Sequence, residues 1–339
     1  MASWYESEMC VRIARWTQPD LKALAVRKRR AQLLLIPYSH YCELARWSLE
    51  VAGIAFDEHG YSPGAHMPVT LALRIGDSRG KAYHHHMQSS TCQVADRAPS
   101  LNQSVQLDEQ RKGWERRSDA TLLPAVCLPD GTTVLTDSWA VVNHCWPNAS
   151  WPLGFRACID EELGVLGRQL GYTAIFRPAN SAIWDGFCLD SAGPLFWTFY
   201  KLGAGTILKK NMIALFRADD KEAEAYAFQQ IRTVIAKIES TWLHGDAYDS
   251  STPCSAGWTV GGGSKPDAPD YAMATLTAVL VWPPEYCAGR YKSYIDRLLE
   301  QDDAFRKQTE FFRTTRVGRH CLHMYSMYRR CPPPYMSRL

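Results

Sequence analysis

Ser39 stands where an apolar segment gives way to a helical pattern, and its hydroxyl is well placed to do chemistry. Residues 33–36 are all apolar, which predicts a short strand buried on both faces. Across residues 41–52 apolar side chains recur at helical spacing, and Gly53 follows where a left-handed cap fits. Ser39 is therefore predicted in a tight turn before a helix, where unpaired amides and the helix dipole stabilise an anion. An ordinary helix-capping serine is the alternative.

The segment Ser39-His-Tyr-Cys-Glu-Leu-Ala-Arg-Trp47 resembles the start of the first helix in the glutathione S-transferase superfamily. In serine-type members of that superfamily, a serine at this position donates a hydrogen bond to the sulfur of glutathione and holds it as a thiolate. The resemblance implies that role for Ser39. It also puts Cys42 at the second cysteine of a thioredoxin-type Cys-x-x-Cys, whereas the attacking cysteine of cysteine-type relatives lies at the position of Ser39.

A β-hairpin is predicted at residues 122–136, where two short apolar runs flank the turn Asp130-Gly131. Pro124 is unusual near the start of a strand, because proline has no N–H to donate to a neighbouring strand. In thioredoxin-like folds a cis-proline at this point turns the backbone of the preceding residue outward. The resemblance therefore implies that Leu123 pairs with the backbone of glutathione as an added strand would.

Asp137 and Ser138 open the next helical segment, and capping alone accounts for residues of these types there. The resemblance implies a further role, which is to receive the γ-glutamyl end of glutathione. A carboxylate suits the ammonium group, while a hydroxyl and helix amides suit the carboxylate. His66 is a candidate for the glycine carboxylate of glutathione, with an ordinary surface histidine as the alternative.

The resemblance implies an α/β thioredoxin-like N-terminal domain followed by an all-α C-terminal helical bundle domain. The glutathione-binding domain is predicted at 31–147, with an insertion at about 76–121 where no periodicity lasts a full window. The all-helical domain is predicted at 153–330, followed by a tail at 331–339. Residues 1–30 form an extension, which is either an organelle transit peptide or an amphipathic or frayed segment.

The helical domain is predicted from apolar stripes at residues 160–177 and 223–242. Asp267 and Asp270 precede an apolar helix as a capping box would, which resembles the box that begins the buried central helix of the family's C-terminal domain. Aromatic side chains of this domain are candidates to hold a second substrate, with a core role as the alternative. They are Trp184, Phe187, Trp197 and Tyr200.

Composition excludes few classes of function. The 339 residues include 38 basic and 35 acidic ones, a balance that predicts no nucleic-acid partner. Eleven cysteines without paired spacing favour reduced thiols and a cytoplasmic location. No apolar run reaches the roughly 18 residues that a membrane span needs. The run His84-His85-His86 cannot converge on one ion from a helix or strand, so no metal is expected.

The resulting hypothesis is a glutathione transferase that uses glutathione as co-substrate. Ser39 and the helix N-terminus lower the pKa of the bound thiol, and the thiolate attacks a hydrophobic electrophile held by the helical domain. A homodimer follows from the resemblance alone. Two alternatives remain open: a related protein that binds a ligand or partner without turnover, and a thiol reductase in which Cys42 forms a mixed disulfide with glutathione.

Overall fold

The computed structural model describes residues 20–63, 66, 70, 73, 123–189, 198, 200–245 and 257–329. The predicted insertion at 76–121, the tail at 331–339, residues 1–19 of the predicted extension and Trp197 lie outside the described residues. What is described forms an α/β N-terminal part followed by a helical C-terminal part. This agrees with the predicted fold class in its coarser form, an α/β part followed by a helical part.

The N-terminal part is built on a four-stranded mixed sheet. Its elements are α1 (Leu21–Lys28), β1 (Ala31–Leu35), α2 (His40–Val51), β2 (Phe56–Gly60), β3 (Ala125–Cys127), β4 (Val134–Leu135) and α3 (Ser138–Cys145). The strand order is β2-β1-β3-β4, with β1 and β2 parallel and β3 antiparallel to both β1 and β4. The predicted first strand and hairpin are therefore confirmed.

Local sequence accounts for the hairpin turn between β3 and β4. The Asp130 carboxylate accepts the backbone N–H groups of Thr132 and Thr133, at 2.8 and 2.7 Å. Gly131 adopts a φ of 71°, which glycine reaches without a steric penalty. A Cβ at Gly131 would lie 2.4 Å from a methyl group of Val26 on α1, so the helix and the turn fit together only with glycine here.

Helix α2 ends in the left-handed cap that the sequence predicts. Gly53 has a φ of 69°, and its N–H donates to the carbonyl of Glu50 at 3.0 Å. The N–H of Ile54 donates to the carbonyl of Leu49 at 2.9 Å. These two bonds form a Schellman motif, which satisfies carbonyls that the end of a helix otherwise leaves unpaired.

Helix α1 lies within the segment that the sequence analysis assigned to the extension. Leu21 and Ala25 are buried against Leu34, Ala125 and Cys127 on one face of the sheet. Helices α2 and α3 cover the other face. The N-terminal domain therefore begins before residue 31, because its sheet needs α1 to bury that first face.

The C-terminal part consists of helices around one large apolar core. In chain order it contains α4 (Phe155–Ala157), a π-helical stretch (Cys158–Gly164), α5 (Val165–Phe176), a 3₁₀ turn (Pro178–Asn180), α6 (Ser181–Leu189), a second π-helical stretch (Tyr200–Ala204), α7 (Gly205–Phe216), α8 (Lys221–Thr241), α9 (Ala268–Val281), a 3₁₀ turn (Tyr286–Gly289), α10 (Lys292–Gln301), α11 (Asp303–Thr314) and α12 (Arg316–Tyr328).

Helix α9 is the central element of this part, and all 14 of its residues are buried. Asp267 and Asp270 form the predicted capping box. The Asp270 carboxylate also accepts the N–H of Val260 at 2.9 Å and the Nε2 of His320 at 3.0 Å. One buried carboxylate therefore joins the start of α9 to a loop and to α12, which explains why an acidic residue occupies so apolar a location.

Replacing Asp270 by Ala should lower the free energy of unfolding by about 3 kcal/mol, because several buried donors lose their acceptor at once. Urea denaturation measures the change. The exposed first-turn residue Asp303 provides the matched control, and Asp303→Ala should leave the midpoint within error. An Asp270→Ala midpoint equal to that of the control would contradict this role.

Candidate functional site

The register of the sheet brings the predicted site segments to one end of it. Strands β1 and β2 run parallel and finish together, since Leu35 pairs with Gly60. Because β3 is antiparallel to β1 and Ala125 pairs with Leu34, the residues before Ala125 lie beside the end of β1. Leu123 and Pro124 are therefore close to the turn that carries Ser39.

The same reasoning applies to Asp137 and Ser138. Val126 of β3 pairs with Leu135 of β4, and the two strands are antiparallel. The chain that leaves β4 therefore emerges beside the start of β3, at the same end of the sheet. The three segments that the sequence analysis singled out thus come together at one edge of the N-terminal domain.

The peptide bond between Leu123 and Pro124 is cis, as the sequence analysis predicted. Pro124 is buried, whereas Leu123 is partly exposed. The predicted pairing of Leu123 with a bound peptide stays a prediction.

Ser39 is the N-cap residue of α2 and is partly exposed. Its hydroxyl makes no capping hydrogen bond to the first turn of the helix, so the ordinary capping role does not account for it. The hydroxyl instead lies close enough to the Cys42 thiol to favour the thiolate of that residue. Donation from Ser39 to the sulfur of glutathione stays a prediction.

Cys42 itself is fully buried. Its sulfur accepts the N–H of Ile36 at 3.3 Å. Burial raises the pKa of Cys42 to about 11, because desolvation of the thiolate outweighs the hydrogen bonds from Ile36 and Ser39. The Cys42 thiol is therefore protonated near neutral pH, unlike the reactive cysteine of a redox enzyme.

Asp137 caps α3, and its Oδ1 accepts the N–H of Ala140 at 2.7 Å. Asp137 therefore has the capping role that was given as its alternative. This role uses only one of its two carboxylate oxygens. Ser138 is buried. His66 is partly exposed, and its carbonyl accepts the N–H of Thr70 at 3.0 Å. Binding roles for Asp137, Ser138 and His66 stay predictions.

A narrow cleft with about 30 Å³ of interior space lies beside Ser39 between the two domains. Its walls come from the turn before α2, from α5 and α6, and from the end of α9. Residues on these walls include Tyr38, Ser39, His40, Arg168, Phe187 and Trp282. Leu123, Pro124, Asp137 and Ser138 do not line this cleft, so the sheet end and the cleft meet only at the Ser39 turn.

Among the aromatic candidates for holding a second substrate, Phe187 lines the cleft. Trp184 is fully buried in the core of the helical domain. Tyr200 is buried, and its hydroxyl donates to Asp185 at 2.7 Å. For Trp184 and Tyr200 the core alternative is therefore the one observed.

The first turn of α2 is fixed by the helical domain. The Nε2 of His40 donates to the carbonyl of Gly164 at 3.1 Å, and the hydroxyl of Tyr41 donates to the carbonyl of Asp160 at 3.0 Å. Both carbonyls belong to the first π-helical stretch, whose wide turn differs from an α-helix in its hydrogen bonding. A Cβ at Gly164 would lie 2.5 Å from the Tyr41 hydroxyl, so glycine is needed at this contact.

His40 is neutral in this environment. Burial, and then the positive charge of Arg168, lower the pKa of His40 to about 3. A neutral His40 donates through Nε2 to Gly164 and acts as a structural anchor. The Arg168 guanidinium lies over the rings of Tyr41 and Phe216, at 5.5 Å from each centroid, and contributes positive potential to the cleft.

A buried ion network connects α2 to Arg329, the residue that follows α12. Glu43 is fully buried and accepts hydrogen bonds from Arg46 and from the Nε of Arg329, the latter at 2.8 Å. The N–H of Cys287 donates to the same carboxylate at 3.2 Å. Burial alone would raise the pKa of Glu43, but the two guanidinium groups outweigh it and hold this pKa below its usual range.

The outer members of the network are partly exposed. The Nε of Arg46 donates to Glu58 of β2 at 2.6 Å, and Arg329 also donates to Glu50 of α2. Burial is the largest effect on Glu50 and raises its pKa to about 7, despite the neighbouring Arg329. The Glu43 carboxylate therefore binds both Arg46 and Arg329. Arg46 also contacts Glu58 of the sheet, and Arg329 also contacts Glu50 near the end of α2.

Sequence reasoning missed His40, Arg168, Trp282 and the Glu43 network. His40 adjoins Ser39 and was available as a signal. Arg168 lies within α5 and Trp282 lies at the end of α9. Neither helix has a sequence pattern that indicates a cleft. Glu43 and Arg329 are 286 positions apart, so no spacing rule connects them.

Comparison of the sequence with models of known protein families and with curated proteins finds no match. Within the described ranges, no helix is long and apolar enough to cross a membrane. Those same residues also contain no cluster of three or more histidine, cysteine or acidic side chains suited to a metal ion.

Replacing Arg329 by Leu should lower the free energy of unfolding at neutral pH by about 3 to 5 kcal/mol, because Glu43 loses a buried partner. The pKa of Glu43 is lowered in the fold, so its contribution is present above its unfolded pKa of about 4.3 and is lost as the pH falls through the folded value. The difference between wild type and variant should therefore shrink below about pH 4. Urea denaturation over a pH series measures it.

The control for Arg329 is Arg306, whose ion pair with Asp303 is exposed. Arg306→Leu should leave the unfolding midpoint within error at every pH. If both variants behaved alike, the buried network would not be the connection inferred here.

Cys42 should resist alkylation in the folded protein. With a pKa of about 11, its thiolate fraction at about pH 8 is roughly 200-fold below that of an unperturbed thiol. Iodoacetamide labelling followed by peptide mass spectrometry tests this, with urea-unfolded protein as the control. Labelling of Cys42 at the same rate in both samples would show that the thiol is accessible and ionised.

Proposed function

We propose that this chain is a glutathione transferase with a thioredoxin-like N-terminal domain. The observation that carries the proposal is the convergence of three segments at one end of the sheet. The Ser39 turn, the Leu123-Pro124 edge and the Asp137-Ser138 helix start meet there, and the Ser39 turn opens into a cleft bordered by the helical domain.

The strand directions support the thioredoxin-like proposal. A parallel β1-α2-β2 unit is followed by an antiparallel β3-β4 hairpin and then α3, with helices on both faces of the sheet. The cis peptide before Pro124 lies at the start of β3. A thioredoxin-like domain needs each of these features.

In the proposed complex, the backbone of glutathione lies along Leu123 in an antiparallel, strand-like manner. The γ-glutamyl end reaches the start of α3. There Oδ2 of Asp137 can receive the ammonium group, since it is Oδ1 that accepts the N–H of Ala140. The cysteinyl sulfur points to Ser39 at the start of α2. Glutathione is a co-substrate in this proposal, and no metal is involved.

Activation of the thiol follows from its surroundings. The Ser39 hydroxyl donates to the sulfur, and the unpaired amides of the first turn of α2 favour negative charge. Arg168 on the facing wall adds positive potential, which likewise favours the thiolate. Neutral His40 is already committed to Gly164, so the thiol proton leaves to solvent rather than to this histidine. The thiolate then attacks a hydrophobic electrophile in the cleft.

The thiol reductase alternative is the weaker one. It requires an ionisable, accessible Cys42, whereas that thiol is buried with a raised pKa. The non-catalytic binder remains a second candidate. The burial of Ser138 favours it, because a buried hydroxyl must be exposed before it can contact the γ-glutamyl carboxylate.

The proposal extends to location and assembly. All seven cysteines in the described part of the chain are free thiols, which supports a reducing compartment such as the cytoplasm. A homodimer is proposed from the family resemblance alone.

Replacing Ser39 by Ala tests the proposal. Conjugation of glutathione to 1-chloro-2,4-dinitrobenzene should fall by up to about tenfold near neutral pH, because the bound thiol regains a pKa close to the ordinary thiol value of about 8.5. The acidic limb of the pH profile of kcat/KM should move upward by about one unit. The matched control is Ser39→Thr, which retains a hydroxyl and should keep most of the activity.

Calorimetric titration with glutathione separates the remaining outcomes. Binding without any conjugation would favour the non-catalytic binder. A loss of activity confined to Cys42→Ser would favour the reductase. The absence of glutathione binding to the wild-type chain at millimolar concentration would overturn the glutathione proposal entirely.

A further inference from the structure

Helix α7 packs against the helical domain along one side and presents its other side to solvent. Its last residue, Phe216, is buried, and the ring of Phe216 stacks on Tyr172 of α5 at a centroid distance of 4.3 Å. The side turned to solvent carries exposed residues at helical spacing, which together are called the outer face of α7. They are Ile207, Lys210, Asn211 and Ala214.

Two large aliphatic side chains stand out from the start of this helix. Ile207 of the outer face is 65% exposed, and Leu202, in the π-helical stretch before α7, is 79% exposed. Single exposed apolar side chains are common on protein surfaces. Here two of them flank the start of one helix, so a shared role for the pair requires consideration.

Two glycines shape the turn that carries Leu202. Gly203 has a φ of 117°, which glycine adopts without the penalty that a side chain would bring. A Cβ at Gly205 would lie 2.6 Å from the ring of Tyr200, so this ring packs directly on the backbone at the start of α7. Tyr200 is buried, and its hydroxyl donates to Asp185 at 2.7 Å. Leu202 therefore protrudes from a turn that is fixed from beneath, and little conformational entropy is lost when it meets a partner.

The charges carried by this segment are all positive. Residues 200–216 contain Lys201, Lys209 and Lys210 and no acidic residue. Lys210 is exposed on the outer face of α7, three residues after Ile207, and Lys209 beside it is partly exposed. Neither Lys209 nor Lys210 forms an ion pair with another residue in the described part of the chain. Both ammonium groups are therefore available to an anionic partner.

These features favour a lipid surface over a protein partner. Protein interfaces take most of their binding energy from tryptophan, tyrosine and arginine and are depleted in lysine, whereas the outer face of α7 has a lysine and none of those three. A lysine beside a protruding aliphatic side chain suits the bilayer interface. There the ammonium group meets anionic headgroups while the aliphatic side chain enters the boundary of the acyl chains.

We propose that Leu202, Ile207, Lys201, Lys209 and Lys210 form a docking surface for an anionic lipid bilayer. Leu202 and Ile207 insert at the level of the headgroups, and the three ammonium groups contact lipid phosphate and carboxylate groups. With so few side chains involved, binding is reversible and sensitive to salt. None of the five residues lines the cleft beside Ser39, so the docking surface does not depend on glutathione.

Co-sedimentation of the full chain with lipid vesicles tests the proposal. Phosphatidylcholine vesicles that contain about 30% phosphatidylserine should bind the chain at least about tenfold more strongly than vesicles of phosphatidylcholine alone. Raising the ionic strength from about 0.05 to about 0.5 M should release most of the bound chain, because salt screens the charges of the lysines and the lipid headgroups.

Two double variants separate the contributions to binding. Leu202→Ser combined with Ile207→Ser should lower the vesicle partition coefficient by about tenfold or more, because both inserted side chains become polar. Lys209→Gln combined with Lys210→Gln should lower it by about tenfold and weaken its dependence on salt. Thermal unfolding verifies that each variant is folded, and the Tm of the serine variant should equal that of the wild type because both of its positions are exposed.

Matched controls lie outside the docking surface. Leu153 is 87% exposed before α4, and Lys265 is exposed in the loop before α9. Leu153→Ser and Lys265→Gln should leave the partition coefficient within error. In the opposite direction, Ile207→Trp should strengthen binding several-fold, because tryptophan favours the membrane interface, whereas Leu153→Trp should not.

The outcomes that would overturn the proposal are distinct. One is the absence of vesicle binding by the wild-type chain, and another is an equal loss in the serine double variant and in Leu153→Ser. A loss confined to the lysine variant would show electrostatic adsorption without insertion. A change from dimer to monomer in the serine variant, seen by size-exclusion chromatography without any vesicle binding, would assign the surface to a second copy of the chain.

Discussion

A single buried carboxylate, Glu43, is the constraint on which the geometry of the site depends. An isolated carboxylate in an apolar interior is strongly unfavourable, so Glu43 must keep its cations. One of them, Arg46, reaches the sheet through Glu58, and the other, Arg329, comes from beyond the last helix. A shift of helix α2 would therefore break the ion pairs of Glu43 or expose its charge. Ser39 is held in place because it lies at the start of this helix.

Aromatic packing and hydrogen bonds from the helical domain complete the support of α2. Trp47 packs against Tyr271 of α9 and Tyr325 of α12, at centroid distances of 5.1 and 4.7 Å. At the other end His40 and Tyr41 bind carbonyls of the first π-helical stretch. A side chain at the start of a helix held at both ends in this way needs little reorganisation when it meets a bound group.

The features that sequence predicted are those with a local cause. An apolar run predicted β1, Asp130-Gly131 predicted the hairpin, Gly53 predicted the helix end, and Asp267 with Asp270 predicted the start of α9. The features that sequence missed arise from contacts between distant parts of the chain. Nothing near Glu43 indicates Arg329, and nothing near Trp282 indicates a left-handed backbone, because both depend on the tertiary packing that surrounds them. Helix α1 was missed for the same reason. Its two buried residues, Leu21 and Ala25, indicate a core helix only when the sheet face that they cover is known.

The π-helical stretch at Cys158–Gly164 has an evolutionary consequence. Its carbonyls at Asp160 and Gly164 serve side chains of the N-terminal domain, and Gly164 must lack a Cβ for Tyr41 to fit. Recombination that exchanged one domain for that of a distant relative would separate these partners, leaving the buried imidazole of His40 and the partly buried phenol of Tyr41 without acceptors. We therefore expect the two domains to be inherited together. A functional chimera would need both the side chains of His40 and Tyr41 and the π-helical stretch whose carbonyls they contact.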